Sequence, residues 1–160
     1  VNGNSMFFSG GAIDEEVISE AERNRGYIDA LRKNNIQPDL TKVRITKTYY
    51  FGDGEKIFDE LMNENVKFDA IFSAAGDIVA MGLLNATRRY GVKVPEDVAI
   101  VGYDDIEIAP LTVPPLTTIK QPVSEMGEQA VRLAAACIEK RVTEPKHIVF
   151  TPELIIRGTA

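Results

Sequence analysis

From Met6 onward, short apolar runs alternate with longer amphipathic stretches. Residues 6–9 are apolar and end in Gly10-Gly11, which reads as a strand and a turn. In residues 15–33, Val17, Ala21, Ile28 and Leu31 recur at helical spacing. Glu15, Glu16 and Glu20 gather at the start of that helix and Arg32 and Lys33 at its end, complementing the helix dipole. Asn34-Asn35 stops it. Residues 43–49 alternate, with Val43, Ile45, Lys47 and Tyr49 on one face of a strand. Residues 54–63 predict a short helix with Ile57, Phe58, Leu61 and Met62 inward, and residues 68–75 a buried strand. Residues 77–90 predict a helix with Ala80, Met81, Leu84 and Thr87 on one side and Gly91 as its C-terminal cap.

Residues 98–103, VAIVGY, form an apolar run rich in β-branched residues, closed by the adjacent carboxylates Asp104 and Asp105. That length and those boundaries suit a strand buried on both faces of a parallel sheet. Strand and helix in strict alternation mean parallel strands with right-handed crossovers, an α/β fold. After that the rhythm breaks. Pro110, Pro114 and Pro115 interrupt regular structure, residues 116–120 are extended, and residues 123–140 predict an amphipathic helix. Val123, Met126, Ala130, Leu133, Ala134, Cys137 and Ile138 make its apolar stripe, with Cys137 as a buried small hydrophobe. Residues 147–150 and 154–157 predict late strands.

A chain of 160 residues is one domain by the usual prior. With 44% hydrophobic and 26% charged residues it is a globular chain rather than a disordered one. No apolar run approaches the roughly 18 residues of a membrane span, and residues 1–5 lack the basic start of a signal peptide. One cysteine forms no internal disulfide, which fits a reducing, cytoplasmic compartment. The net charge of −6 without a long basic run gives no phosphate-binding face, which weighs against direct DNA contact by these residues. His147 is the only histidine, so neither a metal-ligand cluster nor a nucleophile–base pair can be assembled, and no cofactor is expected. Gly52-Asp53-Gly54 is not followed by the Lys-Ser/Thr of a phosphate loop.

In open parallel sheets ligands bind beyond the carboxyl ends of the strands. Asp104 stands at such an end, and a carboxylate there can accept two hydrogen bonds from adjacent hydroxyls. The alternative is that one of the two acids only caps a turn. Tyr49, Tyr50 and Phe51 cluster at another strand end, where aromatic faces either stack on a ligand or pack in the core.

The wording VPEDVAIVGYDD and PPLTTIKQP closely resembles the lactose/galactose repressor family of bacterial transcription regulators, and the ending ELIIRGTA is similar to that family's closing strand. The resemblance runs from about Met6 to Thr159. It implies a type I periplasmic-binding-protein-like fold, of which residues 1–110 and 147–160 form the C-terminal lobe. Residues 111–146 would be the hinge strand and a helix belonging to a largely absent N-terminal lobe, and the DNA-binding headpiece would lie outside the chain. By the same resemblance Asp104 contacts the effector, with Asp105 nearer the hinge, and Arg23 of RNRGY reaches it too. Ser73-Ala74-Ala75-Gly76-Asp77 matches the segment that ends a strand and starts a helix. Many members carry an amide or hydroxyl where Gly76 stands; here only backbone N–H groups could bind an oxygen, with Asp77 as helix cap.

The resemblance thus implies effector-binding residues Asp104, Arg23, Gly76 and Asp77, with Tyr49 and Tyr50 as aromatic candidates, and a hinge of Leu116, Thr117, Thr118, Ile119, Lys120 and Gln121. The implied protein is not an enzyme. It is the effector-sensing part of a DNA-binding regulator, a repressor and homodimer, clamping a sugar or nucleoside between two lobes. Pentose, hexose, nucleoside and purine all fit that description. The other reading is a periplasmic solute-binding protein for sugar transport.

Overall fold

The computed structural model describes residues 6–11, 18–46, 48–142 and 144–160. Six strands form one sheet in the order β2-β1-β3-β4-β5-β6. These are β1 (Met6–Gly11), β2 (Val43–Thr46), β3 (Ala70–Ser73), β4 (Ala99–Asp104), β5 (Thr117–Lys120) and β6 (Glu153–Ile155). All neighbours are parallel except β5 and β6. The helices are α1 (Ile18–Lys33), α2 (Phe51–Asn63), α3 (Asp77–Arg89) and α4 (Val123–Ile138). The order of connections changes direction between β1 and β3, the kind of crevice where ligands enter an open α/β sheet.

The core lies under α2 and α3. Phe58, Leu61, Leu83, Ile71, Ile100 and Leu116 are fully buried there. The two helices cross at backbone contact. A Cβ on Gly54 would fall 2.0 Å from the Val79 carbonyl oxygen, and one on Gly82 1.9 Å from that of Phe51. Only glycine permits that approach.

Several expectations are corrected. Gly10 and Gly11 are strand residues of β1, paired with Ile45 and Thr46, and not a turn. Helix α2 begins at Phe51, three residues before Gly54, because Asp53 accepts a hydrogen bond from the Tyr50 N–H at 3.0 Å and from Thr48 Oγ1 at 2.6 Å. Tyr49 is not a strand residue, and within β2 Ile45 on the expected apolar side is half exposed while Thr46 is buried, as befits the sheet's edge. Residues 147–150 form no strand; β5 already has a partner on each side and no edge is left for them there. Gly91 does take the left-handed backbone expected just past α3, at φ 67°. Glu15, Glu16, Val17 and Lys47 lie outside the described residues.

Among the described residues, little covers the apolar stripe of helix α4. None of its residues is buried, Ile138 is 82% exposed, and Cys137 is exposed rather than buried. Its amphipathic pattern therefore does not mark a position in this core.

Candidate functional site

The carboxyl ends of β3 and β4 open into a cavity of about 370 Å³. Four elements supply its walls. Ala75, Gly76, Asp77 and Ile78 come from the β3–α3 junction, Asp104 and Ile106 from the end of β4, Arg23 from α1 and Tyr49 from the segment after β2. Five residues singled out from the sequence therefore meet in one place: Asp104, Arg23, Gly76, Asp77 and Tyr49. Tyr50 does not join them; it is 73% exposed and starts α2.

Arg23 is held by two contacts. Its Nη1 donates to the Ala74 carbonyl at 2.8 Å, and its guanidinium carbon lies 4.0 Å from the centre of the Tyr103 ring. Stacking on an aromatic face orients the planar cation and leaves donors at its edge for a ligand. Tyr103 leans in turn on Phe72, with ring centres 6.5 Å apart.

Asp104 and Asp105 both have positive φ, 111° and 55°. Consecutive non-glycine residues in that region are uncommon and cluster at functional sites. Each carboxylate has a tether. Gln121 Nε2 donates to Asp104 Oδ1 at 2.6 Å, and Arg157 Nη2 donates to Asp105 Oδ1 at 2.6 Å. Arg157 also donates to the Leu116 carbonyl at 2.8 Å, tying the turn to the start of β5.

Asp77 plays a different part from the one expected. Gly76, at φ 102°, is the N-cap of α3, and Asp77 is the first helical residue. The Asp77 side chain turns inward and is 1% exposed. Its Oδ1 accepts from Thr118 Oγ1 at 2.5 Å and its Oδ2 from the Ile106 N–H at 2.9 Å. Burial pushes this carboxyl up from its ordinary range, the two hydrogen bonds pull the other way, and the charge of Asp104 pushes up again. Asp77 is thus the floor of the cavity and a strut to β5.

The segment expected to be the hinge is strand β5 with its flanks. Leu116, Thr117 and Thr118 are fully buried, Ile119 and Gln121 half-buried and Lys120 exposed. Ile106 and Ala75 were not foreseen as cavity walls, since nothing in an isolated apolar residue marks it so. Beyond the Arg23–Tyr103 stack lies a larger, apolar concavity of about 840 Å³ on the open sheet face, between Tyr27 of α1 and Phe72, Val101, Ile119 and Leu154.

Among the described residues no group of three His, Cys, Asp or Glu could hold a metal ion, and no helix is long and apolar enough to cross a membrane. A guanidinium and two carboxylates, Asp77 buried at the floor and Asp104 at the wall, can bind polar, hydroxyl-bearing molecules in that cavity. They offer no nucleophile and base in register.

The chain matches the model of the periplasmic binding protein-like domain over residues 6–160. It is 34% identical to the transcriptional regulator CelR of Thermobifida fusca over 143 residues, 89% of this chain and 42% of that protein. It is also 34% identical to the ribose operon repressor of Escherichia coli over 139 residues, 86% of this chain and 41% of the repressor. The solved complex of CelR with cellobiose superposes with a TM-score of 0.91 at 32% identity, covering 98% of this chain and 47% of that one. The chain therefore spans well under half the length of the curated relatives it matches.

Proposed function

Because the chain belongs to the periplasmic binding protein-like family, in the form carried by lactose/galactose-type transcription regulators, we propose that it is the effector-sensing part of a cytoplasmic DNA-binding repressor. It binds a sugar or nucleoside in the cavity at the carboxyl ends of β3 and β4, acts by binding alone and is not an enzyme. The observation that carries this reading is the convergence of Arg23 and Asp104 on that cavity from two different elements. Asp104 accepts from ligand hydroxyls and Arg23 donates to them. The cavity is half of a clamp, and a second lobe closes it.

Strand β5 and its flanks, residues 116–121, serve as the hinge, and residues 111–146 reach toward that lobe. A ligand that fits the closed arrangement better than the open one shifts the balance between them, and operator affinity shifts with it. DNA contact belongs to a headpiece outside this chain; a net charge of −6 favours no phosphate contact here. The uncovered apolar stripe of α4 packs on that second lobe, and the protein works as a homodimer. The relatives are regulators, so the transport reading has no specific support.

Calorimetric titration with D-ribose, cellobiose and cytidine tests the site. Saturable binding of at least one, lost in Asp104→Ala, is expected. Binding of none at millimolar concentration, or binding indifferent to Asp104, would overturn the reading.

A further inference from the structure

Gln121 stands behind Asp104, outside the cavity, yet it makes the 2.6 Å hydrogen bond that fixes Asp104 Oδ1. Asp104 needs such a hold. Its φ of 111° is followed by 55° at Asp105, and a turn of that kind persists only where the surroundings over-determine it. Both tethers come from the strands next along the sheet: Gln121 just after β5, which pairs with β4, for Asp104, and Arg157 just after β6 for Asp105. The remaining oxygen, Oδ2, faces Gly76. A Cβ there would lie 3.0 Å from it, so the absence of a side chain at Gly76 is what leaves this oxygen uncovered beside the cavity.

We propose that Gln121 is the positioning residue for the effector carboxylate. It holds Asp104 with one oxygen engaged and one presented to the ligand, and it makes that presentation depend on where the end of β5 lies. This rests on the effector reading of the cavity. Because Gln121 leads directly into Pro122 and α4, a ligand held by Asp104 and the placement of the crossover bias each other by the same factor.

Two substitutions test it. Gln121→Met keeps the length of the side chain and removes the donor; whichever of D-ribose, cellobiose and cytidine binds the unchanged chain should bind this variant about tenfold more weakly, with circular dichroism unchanged. Gln121→Glu supplies a donor only when protonated. Its affinity should be low at pH 7.5 and recover toward that of the unchanged chain at pH 5. Asp77, Asp105, Arg23 and Lys120 are the other charged groups around the pair, and the unchanged chain at each pH corrects for them.

A ligand-free measurement stands beside these. In Gln121→Glu, carbon-13 NMR should find the introduced carboxyl and Asp104 titrating in two coupled steps, as carboxyls sharing a proton do. Unaltered affinity in Gln121→Met, or two carboxyls that titrate independently, would overturn the proposal. If no ligand binds the unchanged chain, the effector reading fails, and the carboxyl titration alone still decides whether Gln121 holds Asp104.

Discussion

Asp77 fills the space a side chain at Gly102 would occupy: a Cβ on Gly102 would sit 2.1 Å from Asp77 Oδ1 and 3.1 Å from Leu116 Cδ2. The glycine of GYDD thus exists for a carboxylate elsewhere in the chain. It lets β4 pass directly over Asp77, which in turn reaches Thr118 of β5 and the Ile106 N–H beyond the Asp104–Asp105 turn. The cavity floor and three consecutive pieces of the chain are locked together at this point.

Gly102→Ala is therefore expected to destabilise the fold by about 3 kcal/mol, the upper part of the overpacking range, because the group in the way is a hydrogen-bonded buried carboxylate and not a flexible tip. Urea unfolding followed by circular dichroism measures it. A midpoint equal to that of the unchanged chain would mean that β4 and Asp77 are not in contact.

Asp77 makes stability depend on pH. Its folded pKa is raised, chiefly by burial, so above the ordinary carboxylate value the folded state holds the proton more tightly than the unfolded chain. The contribution is fully present below about pH 4 and is lost as pH climbs through the raised folded value. Asp77→Asn removes this dependence. Relative to the unchanged chain, the variant should gain stability between about pH 4 and neutrality. A difference in urea midpoint that stays flat across that window would show Asp77 ionising as if exposed.

Asp104→Ala should cut ligand affinity by at least tenfold, the scale of a lost charge-assisted hydrogen bond, while changing folding stability by under ~1 kcal/mol, since the side chain is only half-buried. Arg23→Leu should weaken binding in the same way without changing the fold. Calorimetry and thermal melting, run on the same samples, separate the two effects. Equal losses in both would reassign these residues to structure.

Helix α4 exposes Val123, Met126, Val131 and Ile138. Each large apolar side chain left in water forgoes about 1.5–3 kcal/mol relative to burial, and such a stripe draws a partner. The chain is expected to sediment as a dimer or larger species at micromolar concentration. The double variant Met126→Lys, Ile138→Lys should be a monomer of unchanged helix content. A monomeric unchanged chain would sink this expectation.

The site was legible in the sequence to the extent that it rests on chain-local pattern. Asp104 closes a β-branched run and Arg23 sits in a motif, so strand-end logic and family wording find both. Asp77 was legible as a residue and not as a role: whether a carboxylate at a helix start points outward or inward depends on Thr118, 41 residues away. Gln121 reads as a hinge residue by its motif, and its bond to Asp104 is invisible without the fold. Tyr50 stands just before helix α2 and outside the cavity, a placement the strand-end aromatic cluster alone does not disclose. Cys137 failed for a different reason: apolar periodicity records a burial that this chain alone does not provide.

By itself the sequence determined the alternation of strands and helices, because hydrophobic period and turn residues act over a few neighbouring positions. It pointed to the two charged groups of the candidate site as well, to Asp104 through its place at a strand end and to Arg23 through wording shared with a family. Only the tertiary structure decided the antiparallel return of β6 beside β5, the inward turn of Asp77 beneath Gly102, and the tethering of Asp104 and Asp105 by Gln121 and Arg157. Each of these is a contact between residues far apart in the chain. Packing and desolvation select such contacts when the sheet closes, and no local pattern encodes them.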